Sequence, residues 1–258
     1  MDIASLLEQI KAIVQKAGVI ILQAQNLRLT LKAGSQTYIT QYDWEIESFL
    51  ITELQQLLPQ SAFLAKESNP LLATKSDWVF IVNPLDSTAN FINRVNFSAI
   101  SVALAYQKKV VLAVIYNPFN GELFSALYNQ GAYLNDQPIK VSNRPFSEAM
   151  IGFGTTPYNT FFHPNTLSML AKCLGTVREI RRMGSASLDL AYLACGRFDG
   201  FFEFQLQAWD FAAGALIIQE AKGLISSMTG SQPDCFQASS IIAGNSTVYF
   251  NLINLLDN

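Results

Sequence analysis

The sequence predicts an α+β fold, in which two helices cover a largely antiparallel sheet and a second layer of alternating strands and helices follows. Three observations predict this fold: two amphipathic stretches near the start, short apolar runs separated by turns up to about residue 144, and regular alternation from about residue 145. The 258 residues suffice for one large domain or two packed lobes. We expect lobes spanning 1–144 and 145–258 that form one structural unit, because no flexible linker or repeat separates them.

The first lobe opens with two predicted helices. The start, MDIASLLEQIKAIVQKAGVIIL, places apolar residues at helical spacing, and its acidic rather than basic opening argues against a signal peptide. After the polar stretch LKAGSQTYIT, helical spacing returns in QYDWEIESFLITELQQLLP until Pro59 ends it.

The strands are predicted from short apolar runs. Those of the first lobe are SAFLA, DWVFIV, FSAISVALAY, VVLAVIYN and ELFSALY, and we expect a hairpin turn at Gln107 to Lys109 and another turn at NPFNGE. In the second lobe the strand-like runs are AMIGFG, VREIRRM, DGFFEF and SSIIAGN, and the helix-like runs are NTLSMLAKCLG, SASLDLAYLACG and WDFAAGALIIQEAKG.

Composition and charge exclude several classes of protein. The net charge is -3, and basic residues are scattered apart from the pairs Lys108–Lys109 and Arg181–Arg182, which argues against a nucleic-acid-binding surface. No apolar run approaches the length of a membrane span. The three cysteines form no CxxC motif and suit a reducing compartment, so we expect a cytoplasmic protein. His163 is the only histidine, which excludes a His-rich zinc site.

Four carboxylates lie where apolar runs end: Asp43, Glu67, Asp86 and Asp210. Each alone has a structural explanation, since an Asp in the first turn of a helix complements the helix dipole and a Glu can simply lie in a loop. Together, oxygen ligands without accompanying His or Cys are the set that Mg²⁺ prefers.

The segment DSTAN follows directly after the strand that ends at Asp86. Ser87 and Thr88 offer hydroxyls and backbone N–H groups at what we expect to be a helix start, which favours a phosphate. A hard cation beside a phosphate predicts phosphoryl transfer to water.

NPLDSTANF resembles the Asp-Pro-Ile/Leu-Asp-Gly-Thr-x-Asn-Phe signature of the inositol monophosphatase family, and WDFAAGALIIQEAKG resembles that family's second signature. LKAGSQTYITQYD, LAKES, RRMGSASLDLAY and DGFFEF match further segments in the expected order, so the likeness covers nearly the whole chain. The resemblance implies the layered α-β-α-β-α sandwich shared with fructose-1,6-bisphosphatase, and a homodimer. It also implies Mg²⁺-dependent hydrolysis of a small phosphate monoester, such as inositol monophosphate or a related sugar or polyol phosphate.

The resemblance also assigns roles to individual residues. The metal ligands would be Glu67, Asn83, the carbonyl of Leu85, Asp86 and Asp210. The catalytic residues would be Asp43 and Thr88, which match the pair that orients the attacking water, together with Glu67. The substrate-binding residues would be Ser87 and Thr88 for the phosphate, and Gly184, Ser185, Ala186, Glu203 and Asp210 for the alcohol.

Three residues depart from the family pattern: Asn83 replaces an Asp, Lys66 a Glu, and Ser87 a Gly. The first two changes add about three positive charges and should weaken metal binding. We hypothesise that the Lys66 ammonium reaches the site and substitutes in part for a cation, the alternative being a solvated lysine on a loop. A second function therefore stays open, a catalytically impaired pseudo-phosphatase that keeps the fold and ligand binding.

Two further positions have alternative explanations. Ser87 introduces strain of about 1–2 kcal/mol if its φ is positive, crowds the phosphate, or donates a hydrogen bond to it. Glu203, in an apolar strand, either decorates the strand edge or accepts from substrate hydroxyls. The Gly-rich run IGFGTTP is predicted to be a turn rather than a nucleotide loop, because Pro157 stands where a third glycine is needed.

Overall fold

A computed structural model of the chain describes residues 2–31, 38–68, 76–157 and 159–257. Part of the predicted polar stretch after the first helix, residues 32–37, lies outside the described residues. The helices are α1 (Ile3–Leu22), α2 (Gln41–Leu57), α3 (Thr88–Ile92), α4 (His163–Cys173), α5 (Ala186–Ala194), α6 (Ala208–Glu220) and α7 (Ser246–Asp257). The strands are β1 (Leu29–Leu31), β2 (Tyr38–Thr40), β3 (Ala62–Ala65), β4 (Trp78–Asp86), β5 (Ala99–Tyr106), β6 (Lys109–Asn117), β7 (Glu122–Leu127), β8 (Ala132–Leu134), β9 (Gln137–Ile139), β10 (Met150–Phe153), β11 (Glu179–Arg181), β12 (Gly200–Leu206), β13 (Leu224–Ser227) and β14 (Ser239–Gly244).

In the described part of the chain, the first sheet has seven strands in the order β3-β4-β5-β6-β7-β8-β9. Among these strands, the edge strand β3 is parallel to its neighbour β4, and the other pairs are antiparallel. The hairpin predicted at Gln107 to Lys109 is confirmed: Gln107 and Lys108 take φ values of 47° and 65°, and Lys109 begins β6. Two positive φ values in a two-residue loop are typical of a type I′ turn, whose twist matches that of the strands.

The second sheet has five strands within the described ranges, in the order β11-β10-β12-β14-β13. Strand β10 is parallel to both β11 and β12, and β14 runs antiparallel to β12 and β13. The alternation read from the second half of the sequence therefore produces a mixed sheet, as expected when helices connect most of its strands.

Five layers stack in the order helix, sheet, helix, sheet, helix. Helices α1 and α2 cover the outer face of the first sheet, α5 and α6 lie between the sheets, and α4 and α7 cover the second sheet. The apolar side chains of α5 and α6 join residues of both sheets in one core. The predicted layered α+β sandwich is thus confirmed.

Helix α6 lies in the middle layer, and side chains near both of its ends form hydrogen bonds. Asp210 in its first turn accepts a hydrogen bond from the backbone N–H of Gln207 at 3.0 Å. Glu220 in its last turn accepts from the N–H groups of Asn129 at 2.7 Å and Gly131 at 2.9 Å, which lie in the turn between β7 and β8. The helix therefore connects the end of the molecule that carries Asp210 with a hairpin of the first sheet.

The outer helices are amphipathic rather than uniformly apolar. Helix α1 is capped by Asp2, whose carboxylate accepts from the N–H groups of Ala4 and Ser5. The helix buries one apolar face against α2 and the first sheet. Among the described residues, no helix is both long and apolar enough to cross a membrane.

Candidate active site

Most of the predicted site residues line one cavity of about 490 Å³. Those that line it are Glu67, Asp86, Ser87, Thr88, Gly184, Ala186, Glu203 and Asp210. Four others, Asp43, Asn83, Leu85 and Ser185, are buried behind this lining. The structure thus brings together residues from β4, α3, α5, β12 and α6, and separates those that face the cavity from those that support them.

The end of β4 and the start of α3 form one wall. The pairing of β4 with β5 is irregular between Asn83 and Asp86. Ser87 then takes a left-handed conformation with φ 65° and precedes the first residue of α3. The family pattern has a glycine at this position, and the positive φ explains why. Ser87 therefore carries local backbone strain.

Asp43 and Thr88 form a buried pair beside the cavity. The Thr88 hydroxyl donates to Oδ1 of Asp43 at 2.8 Å, and Oδ2 of Asp43 accepts from the N–H and hydroxyl of Thr40 at 2.8 and 2.7 Å. Thr40 precedes α2, so the capping box of this helix fixes the carboxylate. Asp43 therefore both caps a helix and contacts Thr88, and the role of this pair in orienting a water molecule stays a prediction.

The N-terminus of α5 holds Asp86. Its Oδ2 accepts from the Ser185 hydroxyl at 2.5 Å and from the backbone N–H of Ser187 at 2.9 Å. Ser185, which the resemblance assigned to the alcohol part of the substrate, therefore lies behind the cavity lining and donates to the Asp86 carboxylate.

Asn83 bridges two of the carboxylates through its amide nitrogen. Nδ2 donates to Oδ1 of Asp86 at 3.2 Å and to Oδ1 of Asp210 at 3.0 Å. The side chain is fully buried, and among the described residues its Oδ1 has no hydrogen-bond partner. The amide is oriented by its two negative neighbours, since the reverse orientation would place oxygen against oxygen.

Lys66 points into the site. Its Nζ donates to the backbone carbonyl of Leu85 at 2.5 Å and lies 3.9 Å from Oε1 of Glu67, and its side chain is only 18% exposed. The alternative of a solvated loop lysine is therefore wrong. Burial disfavours the ammonium, but four surrounding carboxylates outweigh burial and raise the pKa of Lys66 above its ordinary value of 10.5; they are those of Asp43, Glu67, Asp86 and Asp210.

Glu47 is a supporting residue that the sequence analysis did not identify. From α2, its carboxylate accepts from the backbone N–H groups of Glu67 at 2.8 Å and Ser68 at 2.7 Å. Burial raises the pKa of Glu47, against the effect of these hydrogen bonds. Its spacing of four residues from Asp43 on the buried face of one helix is the signal that indicates a shared role.

The opposite wall of the cavity carries Glu203. Burial raises the pKa of Glu203 to about 8, and the nearby Asp210 and Asp86 carboxylates add to it, while a backbone hydrogen bond from Thr156 lowers it. Gly154 makes room for this carboxyl group, because a Cβ added there would lie 1.8 Å from Cδ of Glu203. Glu203 thus faces the cavity and is not an edge decoration of its strand.

Two further buried carboxyl groups lie beside Glu203. Burial and the Asp86 carboxylate raise the pKa of Asp210 to about 7, against the effect of Lys66. Burial, Glu203 and Asp86 raise the pKa of Asp189 well above its ordinary value, and among the described residues Oδ1 of Asp189 has no hydrogen-bond partner. Asp189 and the cavity-lining Arg182 were not predicted, because neither stands out in the sequence.

The donor set does not fit the multi-ion cluster that the resemblance implies. Within the described ranges, no three or more acidic, His or Cys side chains surround a point where a metal ion could be held. The Leu85 carbonyl already accepts from Lys66, and Asp86 and Asp210 both accept from Asn83. The metal-ligand roles of these residues stay a prediction from the resemblance.

Two sheets around a helical layer, with an acidic cavity beside a tight strand-to-helix turn, define a layered α+β sandwich. Residues 2–257 match the inositol monophosphatase family. The chain belongs to this family.

Individual relatives carry two kinds of name. The chain is 43% identical over 224 residues to an inositol-1-monophosphatase of Rhizobium meliloti (strain 1021), covering 86% of this chain and 84% of that protein. It is 37% identical over 216 residues to the Nus factor SuhB of Escherichia coli (strain K12), covering 83% of this chain and 80% of that protein. The crystal structure of the extragenic suppressor protein suhB from Bartonella henselae superposes with a TM-score of 0.92 at 38% identity, covering 98% and 99% of the two chains.

Proposed function

We propose that the chain hydrolyses a small phosphate monoester in this cavity, with a polyol or sugar as the alcohol. The hydrogen bond from Thr88 to Asp43 carries the proposal. Because the Thr88 hydroxyl uses its proton on Asp43, its oxygen lone pairs remain to accept a proton from a water molecule on the cavity side.

The proposed hydrolysis uses this hydrogen-bonded pair. The water oxygen attacks phosphorus in line with the ester bond, so that one P–O bond forms while the P–O bond to the alcohol breaks. A proton of the water passes to Thr88 as the proton of Thr88 moves to Asp43, and the departing alkoxide takes a proton from water in the cavity. Lys66 and Arg182, which line the same cavity, supply positive charge beside the phosphate.

The polar wall around Glu203 supports a hydroxyl-rich alcohol. A carboxyl group whose pKa is about 8 is mostly protonated at pH 7 and can both donate to and accept from a substrate hydroxyl. The name of the Rhizobium relative makes inositol 1-phosphate the first substrate to test.

Phosphate release from inositol 1-phosphate and a panel of sugar and nucleotide monophosphates tests the proposal. Mg²⁺ is the cofactor that the resemblance implies, so each assay is run with millimolar Mg²⁺ and with EDTA. We expect turnover by the natural protein and a loss of about 10²- to 10⁴-fold in Thr88→Val and Asp43→Asn. Thr52→Val, which removes an exposed hydroxyl of α2, is the matched control. Absence of release from every substrate under both conditions, or full activity in Thr88→Val, would refute hydrolysis by this pair.

A second candidate is a pseudo-phosphatase that keeps the fold and a ligand site without turnover. The nitrogens of Asn83 and Lys66, which lie among the predicted metal ligands, favour it. The relatives named Nus factor SuhB show that family names are not confined to phosphatases. This second function would be established if the natural protein releases no phosphate and the Asn83→Asp and Ser87→Gly changes restore turnover.

We also propose a cytoplasmic homodimer. The family resemblance supports the dimer, and the three cysteines, all free thiols, support a reducing compartment. Sedimentation at several protein concentrations measures the oligomeric state, and a monomer at all concentrations would contradict the proposed dimer.

A further inference from the structure

The contacts in this structure divide the predicted ligand oxygens into two groups, which we call the first and second cation positions. The first group is the Glu67 carboxylate with the Leu85 carbonyl, and the second is Asp86 with Asp210. In this chain a nitrogen atom lies at each of them: Nζ of Lys66 at the first and Nδ2 of Asn83 at the second.

The Lys66 ammonium supplies positive charge at the first position. Its ammonium is bonded to the Leu85 carbonyl at 2.5 Å and lies 3.9 Å from the Glu67 carboxylate. A Mg²⁺ ion on the same carbonyl oxygen would lie about 2.0–2.1 Å from it, and therefore within a few ångströms of a fixed positive charge. Ammonium and ion repel each other strongly at that separation in a buried site.

Asn83 satisfies the second position without any added charge. Both N–H groups of one amide are used, one on Asp86 and one on Asp210. To give an ion between Asp86 and Asp210 an oxygen ligand, the amide would have to turn over, which breaks both of these hydrogen bonds. Asn83→Asp would instead place a third carboxylate against these two and would favour a cation or a proton between them.

We propose that Lys66 and Asn83 replace the divalent cations of the family pattern, so that the cavity is assembled without a bound metal ion. The two substitutions act together: one supplies a covalently attached positive charge, and the other removes a negative charge and cross-links two carboxylates. The further consequence, that phosphate release is insensitive to EDTA, rests on the proposed function.

Metal binding itself is the direct test. Mn²⁺, followed by electron paramagnetic resonance, and Mg²⁺, followed by its effect on the thermal unfolding midpoint, are titrated into the natural protein and into the Lys66→Glu/Asn83→Asp double variant. We expect no saturable binding and no shift of the midpoint in the natural protein up to about 10 mM, and at least about 100-fold tighter binding in the double variant. Lys108→Glu, the same charge reversal on an exposed turn, is the matched control and should bind no more than the natural protein.

If the double variant fails to fold, the measurements on the natural protein are sufficient to test the proposal. Saturable binding of Mn²⁺ below about 1 mM by the natural protein, abolished in Asp86→Asn, would overturn the proposal. Phosphate release by the natural protein only in the presence of Mg²⁺ would also overturn it while leaving the proposed hydrolysis intact. Conversely, the natural protein could bind neither Mn²⁺ nor Mg²⁺ and release no phosphate under any condition. That result would refute the hydrolysis and support the replacement of the cations.

Discussion

Replacing Glu203 by Gln should stabilise the protein increasingly as the pH rises. The Glu203 carboxyl group is buried on β12, where burial and the neighbouring Asp210 and Asp86 raise its pKa to about 8 from the ordinary 4.5. Glutamine has nearly the same shape and cannot ionise, so it removes the cost of the charged form while keeping an oxygen to accept from the Thr156 N–H.

The sign and size follow from proton linkage. Below pH 4.5 the carboxyl group is protonated in both the folded and the unfolded chain and contributes no pH dependence. Between pH 4.5 and pH 8 the unfolded chain releases this proton and the folded chain keeps it, so stability falls. At about 1.4 kcal/mol for each pH unit, the loss reaches about 2 kcal/mol at pH 6 and about 5 kcal/mol above pH 8.

Urea unfolding at pH 5, 7 and 9 measures this effect. The free energy of unfolding of Glu203→Gln relative to the natural protein should rise by several kcal/mol from pH 5 to pH 9. Glu148→Gln, the same change at an exposed carboxyl group, controls for the loss of one surface charge. A difference between Glu203→Gln and the natural protein that stays constant across this range would refute the assignment of a raised pKa to Glu203.

Three further predictions concern the residues around the cavity. Ser87→Gly should raise the free energy of unfolding by about 1 kcal/mol, since φ is 65° there; unchanged or lower stability in urea unfolding would contradict the strain. Gly154→Ala should lower stability by about 1–3 kcal/mol in the same measurement, because its Cβ would meet the Glu203 carboxyl group, and Glu203→Ala in the same chain should restore it. Glu47→Gln should lower stability by roughly 1–3 kcal/mol, because the backbone N–H of either buried Glu67 or exposed Ser68 loses its acceptor; an unaltered thermal midpoint would show that these hydrogen bonds are dispensable.

Much of the fold could be predicted because local signals and layer packing agree. Helix α1 shows its buried face at helical spacing, and the turn at Gln107 and Lys108 separates two continuous apolar runs. The pairing of β1 with β2 could not be predicted in the same way. These strands are three residues long and mostly exposed, so no apolar alternation marks them.

The site was predicted in composition but not in arrangement. The sequence shows that Asp43, Asp86 and Asp210 follow or begin apolar segments, and their convergence is observed. It contains no signal for the orientation of an amide, which at Asn83 is set by two carboxylates 3 and 127 positions away. It likewise gives no reason for Lys66 to turn inward, because three of the four carboxylates that hold the ammonium, Asp43, Asp86 and Asp210, come from segments distant in the sequence.

Helix α6 limits how this molecule can admit a ligand. Its first turn carries Asp210 at the cavity, its apolar sides pack in the core shared by both sheets, and Glu220 at its far end is bonded to the β7–β8 turn. Hinge closure of one half over the other would shear this continuous packing. We therefore expect a ligand to enter through a cavity opening of nearly constant width. Discrimination among ligands would then depend on the fixed shape of the cavity rather than on domain closure.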